Sequence, residues 1–283
     1  MNSKHTSLDA GASPLGKPTS YRSQYAPELL FPIVRSDNRR PIGIASDILP
    51  FVGEDLWNAY ELSWLNPKGK PIVALGEFRV PVTSPYLIES KSLKLYLNSF
   101  NQTRCEDIND VAATIARDLS AVVSASVLVK LRLLDDARTQ RVFGIPSGIC
   151  IDALDVEVDS YTPNANLLRV DNGKKAEDET LYTHLLKSNC LVTGQPDWGT
   201  LIVRYSGPAI DRAALLRYII SFREHNEFHE QCVERIFMDI SQHCKPERLA
   251  VWARYTRRGG LDINPFRASA PGFQLENISE MRQ

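Results

Sequence analysis

The sequence repeats itself at long range. Ser221-Phe222 stands 122 residues (221 − 99) after Ser99-Phe100, and the same offset pairs Tyr96 with Tyr218, Leu97 with Ile219, Leu93 with Leu215 and Glu89 with Asp211. Identities are few, but the pattern and the order of elements match, and the period is too long for a solenoid. The repeat predicts two α+β domains, each running strand-strand-helix-helix-strand-strand. The divisions are an arm over 1–25, a first module over 26–136 and a second over 137–283.

Local patterns supply the elements. Leu56 to Leu65 and Ile72 to Val82 are rich in aromatic and β-branched residues on either side of Asn66-Pro67-Lys68-Gly69-Lys70-Pro71, which predicts an antiparallel hairpin. Leu93, Tyr96, Leu97 and Phe100 share one helical face, and Val111, Ile115, Leu119 and Val122 form the stripe of a second helix from Asp107 to about Val123. A strand is expected over Ser126 to Leu134. In the second half strands are expected at Cys150 to Val158, Gly199 to Tyr205 and Leu249 to Tyr255, with helices over Asp211 to Phe222 and about Glu227 to Cys244.

Composition excludes more than it selects. With 33 basic against 34 acidic residues and a net charge of -1, the chain has no field to gather nucleic acid or an anionic membrane. Met1 to Ser20 has no apolar run of signal-peptide length, and no stretch is long enough to span a bilayer, so a cytosolic protein is expected. Five scattered cysteines fit a reducing compartment.

Chemistry concentrates in Ser188-Asn189-Cys190-Leu191-Val192-Thr193-Gly194-Gln195-Pro196-Asp197-Trp198-Gly199. A thiol on a polar turn reaches solvent and ionises, and Asp197, seven residues on, is a proton source for whatever Cys190 attacks. On spacing alone the structural reading is favoured, with Cys190 a half-buried small hydrophobe and Asp197 a turn residue. Phe228-His229-Glu230, at the start of a helix, suits either helix polarity or the reading of a heterocycle's hydrogen-bonding edge. Glu89-Ser90 suits a helix N-terminus, whose unpaired N–H groups also attract a phosphate. Arg257-Arg258-Gly259-Gly260 reads as a basic turn, with glycines that let a backbone approach a ligand. His225, His229, His243, Cys232 and Cys244 lack the short, doubled spacing of a zinc site, so no metal is expected.

Taken together, Glu89-Ser90-Lys91-Ser92-Leu93-Lys94-Leu95-Tyr96, Cys190 through Asp197, Ser221-Phe222-Arg223, Phe228-His229-Glu230 and Arg257-Arg258-Gly259-Gly260 resemble the long, two-domain form of the 7-cyano-7-deazaguanine reductases, the nitrile reductases of queuosine biosynthesis. The resemblance implies tandem tunnelling-fold modules of ββααββ type in a homodimer, NADPH as cofactor and a 7-deazapurine nitrile as substrate, with no direct nucleic-acid partner. It also implies that Cys190 adds to the nitrile to give a thioimide while Asp197 protonates the nitrogen. Two successive reductions by NADPH, through a thiohemiaminal and an imine, then give the amine. Ile88, Glu89, Ser90, His229 and Glu230 would hold the substrate, and Ser90, Lys91, Arg258 and Gly259 the NADPH. No Gly-x-Gly-x-x-Gly follows a strand, so the cofactor rests on the resemblance alone. A pterin-type cyclohydrolase or synthase on the same fold, and a binding protein that has lost the chemistry, are the competing readings.

Overall fold

The computed structural model describes residues 21–45, 48–136, 143–273 and 277–283. It separates into two compact units: the described parts of Met1–Pro41, Trp57–Gln140 and Arg258–Leu261 form one, and those of Ile42–Leu56, Arg141–Arg257 and Asp262–Gln283 the other. Of the expected arm, 1–20 lies outside the described residues. Its last residues lie against the first unit: Gln102 N–H donates to the Ser23 carbonyl at 2.8 Å, and the Tyr25 hydroxyl donates to Asp118 at 2.6 Å.

In the first unit, β1 (Pro32–Val34) leads into α1 (Arg35–Arg39), and most of β2 (Val52–Leu65) turns into β3 (Pro71–Pro81). The turn is set by Asn66, whose side chain accepts from the amides of Lys68 and Lys70. β4 (Tyr86–Ile88) pairs with β1, α2 (Ser90–Asn98) and α3 (Ile108–Val123) follow, and β5 (Leu128–Leu133) returns to the edge of β3. Asp107 caps α3, accepting from the amides of Asn109 and Asp110. Leu93, Tyr96, Val111, Ile115 and Leu119 are wholly buried, which is the reason the two stripes form helices here at all.

In the second unit, β6 (Ile149–Cys150) lies parallel to the long β7 (Val170–Asn189), which forms a bulged antiparallel hairpin with β8 (Pro196–Ile210). After α4 (Arg212–Ile220) and α5 (His229–Cys244), β9 (Arg248–Tyr255) pairs with β8, and β10 (Leu261–Ala268) pairs with β9. The α+β class stands. Several of the residues paired by the 122-residue offset make like contacts, each inside its own unit. Glu89 caps α2 by accepting from the amides of Lys91 and Ser92, and Asp211 caps α4 by accepting from those of Ala213 and Ala214. The Tyr96 hydroxyl donates to Asp118 at 2.7 Å and the Tyr218 hydroxyl to Asp239 at 2.6 Å. Tyr96–Phe100 and Tyr218–Phe222 are edge-to-face pairs with centroids 5.4 and 5.3 Å apart.

Two expectations change. The strand expected over Cys150 to Val158 shrinks to β6. Ile151 N–H still donates to Tyr182, but Asp152 spends its carboxylate on the Thr183 hydroxyl and the His184 amide, and the chain then turns. The 20-residue β7 was not foreseen, because its first half is polar and exposed and carries no alternation.

Candidate active site

The β7–β8 hairpin brings Cys190 and Asp197 to one end of a sheet. Asn189 pairs with Pro196 and Ser188 with Asp197, so the loop between them is six residues long, from Cys190 to Gln195. It closes on itself: Cys190 N–H donates to the Gln195 carbonyl at 2.8 Å, and Gly194 N–H donates to the Cys190 carbonyl at 3.0 Å. Gly194 has φ +66°, a left-handed conformation that suits glycine. From the other side, Asn189 N–H donates to the His225 carbonyl and Glu227 N–H to the Asn189 carbonyl, which ties the loop to the segment entering α5. Glu227 in turn is gripped by Arg235 through Nε and Nη2. The expectation of a solvent-reaching thiol is corrected here. Leu191 and Val192 take the exposed loop tip, while Cys190 and Asp197 are each 6% exposed.

α5 begins at His229, and Phe228 before it supplies no side-chain cap. His229 Nε2 lies 3.7 Å from Asp197 Oδ1, and its ring meets Tyr255 edge-on with centroids 4.0 Å apart. Glu230, the next residue, is buried. Tyr255 is fully buried, and burial pushes its hydroxyl well above the ordinary range, with Cys232, Asp197 and Ser188 as its ionisable and polar neighbours. Sequence reasoning missed Tyr255. The signal was Gly199, its partner in the β8–β9 register, where a Cβ would stand 3.2 Å from the Tyr255 ring. Cys232 sits in the same core, but burial raises its thiol far above neutrality, so it is a packing residue.

The remaining predicted residues belong to the first unit. Ile88 ends β4 and is buried. The two carboxylate oxygens of Glu89 accept from Lys91 N–H and Ser92 N–H, each at 2.8 Å. Those amides are therefore spent on the cap, and the phosphate-binding reading of this helix end is withdrawn for them. Burial lifts the Glu89 carboxyl above its usual range against the pull of the same amides. Arg258 and Leu261 close a tight turn through N–H···O bonds of 2.8 and 3.2 Å, with Gly259 at φ +60° and Gly260 at φ +78°. A Cβ on Gly259 would stand 3.0 Å from Lys94 Nζ, so the bare backbone is what lets that cation lie over the turn. Ser90 and Lys91 open α2, the helix that also carries Lys94. Lys94 also lies 3.7 Å from Glu61 Oε2, and the Glu61 carboxylate lies against Gly260. The second unit thus holds Asp197 and His229 3.7 Å apart, with Cys190 at the base of the loop that Asp197 follows, a set of residue types suited to nucleophilic attack coupled to proton transfer.

Comparison with known proteins identifies the family. Residues 21–131 match the family described as "Nitrile reductase, 7-cyano-7-deazaguanine-reductase N-term", and residues 196–271 match that described as "QueF-like protein". Proteins named NADPH-dependent 7-cyano-7-deazaguanine reductase are similar over nearly the whole chain. That of Azoarcus sp. (strain BH72) is 64% identical over 274 residues, covering 97% of this chain and 96% of the relative. That of Dechloromonas aromatica (strain RCB) is 59% identical over 283 residues, covering 100% and 99%. That of Chromobacterium violaceum is 55% identical over 271 residues, covering 96% of each.

Proposed function

The chain belongs to the NADPH-dependent 7-cyano-7-deazaguanine reductases, and from that premise we propose how its residues divide the work. The activity is reduction of the nitrile of 7-cyano-7-deazaguanine to the aminomethyl group, a step of queuosine biosynthesis. Cys190 is the nucleophile: its thiolate forms a C–S bond at the nitrile carbon as one C–N π bond breaks. The nitrogen takes its proton from Asp197, which leaves a thioimide. His229, whose Nε2 lies 3.7 Å from Asp197 Oδ1, is the group we assign to restoring that proton once Asp197 has given it up. NADPH, when bound, supplies hydride, two for each nitrile. The thiol leaves before the amine is complete, and the imine so freed must be kept from water; the burial of Cys190 and Asp197 serves that need.

The observation that carries this reading is the hairpin register, which sets Asp197 opposite Ser188 and Cys190 at the mouth of the same loop. Glu230 and His229 take the role of reading the guanine-like edge. In the first unit, the Glu89 carboxylate takes the amides of Lys91 and Ser92 and a hydrogen bond from Ser90, and it keeps acceptor capacity beyond those three, the chemistry that ring and amino N–H groups require. Ile88 and Ser90 are assigned to the substrate as well. Ser90, Lys91, Arg258 and Gly259 are assigned to the phosphates and ribose of NADPH, and Lys94 joins them from its place beside Gly259.

The same membership extends to architecture: tandem tunnelling-fold modules over 26–136 and 137–283, working as a homodimer. The matching caps of α2 and α4 and the Tyr–Asp bonds to α3 and α5 support the tandem reading. A cytoplasmic setting fits five cysteines that are all free. No helix among the described residues is long and apolar enough to cross a membrane.

Asp197→Asn tests the proton donor. It should still bind the nitrile, while turnover falls about 100- to 10000-fold, the usual range for a general acid. Single-turnover NADPH oxidation reads the effect, and an unchanged rate would assign the proton to another group.

A further inference from the structure

A second cluster of metal-ligating side chains lies away from the Cys190 loop, in the second unit, where β6 meets β7. Cys150, Asp152 and His184 each offer a ligand atom, and those three atoms lie within 4.8 Å of one another. Cys150 is exposed, and the other two are half-buried, so an ion from solvent can reach them. Reduction of the nitrile uses none of the three.

The hydrogen bonds behind His184 prepare its ring. Nδ1 lies 2.8 Å from Thr200 Oγ1, and the hydroxyl of Thr200 donates its one hydrogen to the buried carboxylate of Glu280. With Glu280 ionised, Nδ1 is the donor to Thr200, which leaves the lone pair on Nε2. An imidazole whose second nitrogen donates to an oxygen is the arrangement that surrounds metal-bound histidines. Asp152 is oriented in the same way: its Oδ1 accepts from the Thr183 hydroxyl at 2.6 Å and from the His184 amide at 3.1 Å. The ring of Tyr182, the β-partner of Cys150, packs edge-on to His184 at 5.4 Å.

We propose that Cys150, Asp152 and His184 form a site for a divalent transition metal of the zinc class. One sulfur, one nitrogen and one oxygen donor suit zinc and its neighbours better than magnesium or calcium, which take oxygen. Three protein ligands leave a fourth position for water. On binding, the Cys150 thiol gives its proton to solvent and the sulfur bonds the metal; no electron is transferred. The ion would staple β6 and the turn after it to β7.

Cobalt(II) makes the site visible, because a thiolate–cobalt bond absorbs by charge transfer. The full chain, stripped with a chelator, should develop that band with one equivalent of cobalt(II), and zinc(II) should displace it. The band should persist in Cys190→Ser and vanish in Cys150→Ser, which should still oxidise NADPH with the nitrile and so report a folded enzyme. His184→Gln should weaken binding along with it, and Thr200→Val should weaken it about 10- to 100-fold, the usual cost of losing an outer-shell partner. A band that survives in Cys150→Ser, one that disappears in Cys190→Ser, or no band in the wild type would each overturn the site.

Discussion

Cys190→Ala is expected to abolish covalent capture of 7-cyano-7-deazaguanine and to lower turnover on the order of 10⁵- to 10⁶-fold, the scale of removing an enzyme's nucleophile. Incubated with the nitrile and no NADPH, the wild-type chain should gain the mass of one substrate, and the variant none. The other four cysteines are poor substitutes for physical reasons. Burial pushes the thiols of Cys232 and Cys244 up, that of Cys244 to about 11, and both are shut inside α5 packing. Burial and the charge of Asp110 raise that of Cys105 as well. Cys150 is exposed, but it sits on β6 and not in the β7–β8 loop. The fold should survive the change, since the loop is held by the Cys190 main chain through Gln195 and Gly194 and by Asn189 through the 225–227 segment. A substrate mass found on peptides containing Cys105, Cys150, Cys232 or Cys244 would move the nucleophile elsewhere.

What the sequence made legible follows from the range of the interactions involved. The cap residues Glu89, Asp107 and Asp211 act over two or three positions, so a local pattern reveals them and the helix starts come out nearly right. The hairpin of β2 and β3 was readable for the same reason, because Asn66 organises its own turn. β7 was not, since its polar first half is held by cross-strand pairs with β8 rather than by its own alternation. The site divides along the same line. Cys190 and Asp197 stand out because they flank one turn, whereas Tyr255 reaches His229 only through the β8–β9 register and the packing of α5. The solvent-reaching thiol failed for a related reason: a polar turn reports the exposure of its tip, and Cys190 is at its base. Lys94 became a candidate only when the Gly259 turn was seen beneath it.

Arg267→Ala is expected to destabilise the chain by about 3–5 kcal/mol, the usual cost of leaving buried charges without their partner. The guanidinium on β10 is wholly buried, with Nη2 2.8 Å from Asp55 Oδ1 and 2.9 Å from Glu234 Oε1. Its Nη1 donates to the carbonyls of Phe266 and Glu54, and the charge lies 5.6 Å from the Phe51 ring centre. Removing it strands two carboxylates, from β2 and α5, at 1% and 3% side-chain exposure. Neither can recover hydration in place, so each must take up a proton or pull its element open. The consequence reaches the chemistry, because Glu234 is one turn beyond Glu230 on the helix that carries His229. Urea unfolding should show the lower midpoint, and turnover should fall before global unfolding as the start of α5 loosens. Exchanging all three residues for apolar ones of similar volume should restore much of the lost stability without restoring the charge network. A loss under about 1 kcal/mol in Arg267→Ala would mean that water already reaches the carboxylates, and the rigid placement of His229 would then need another cause.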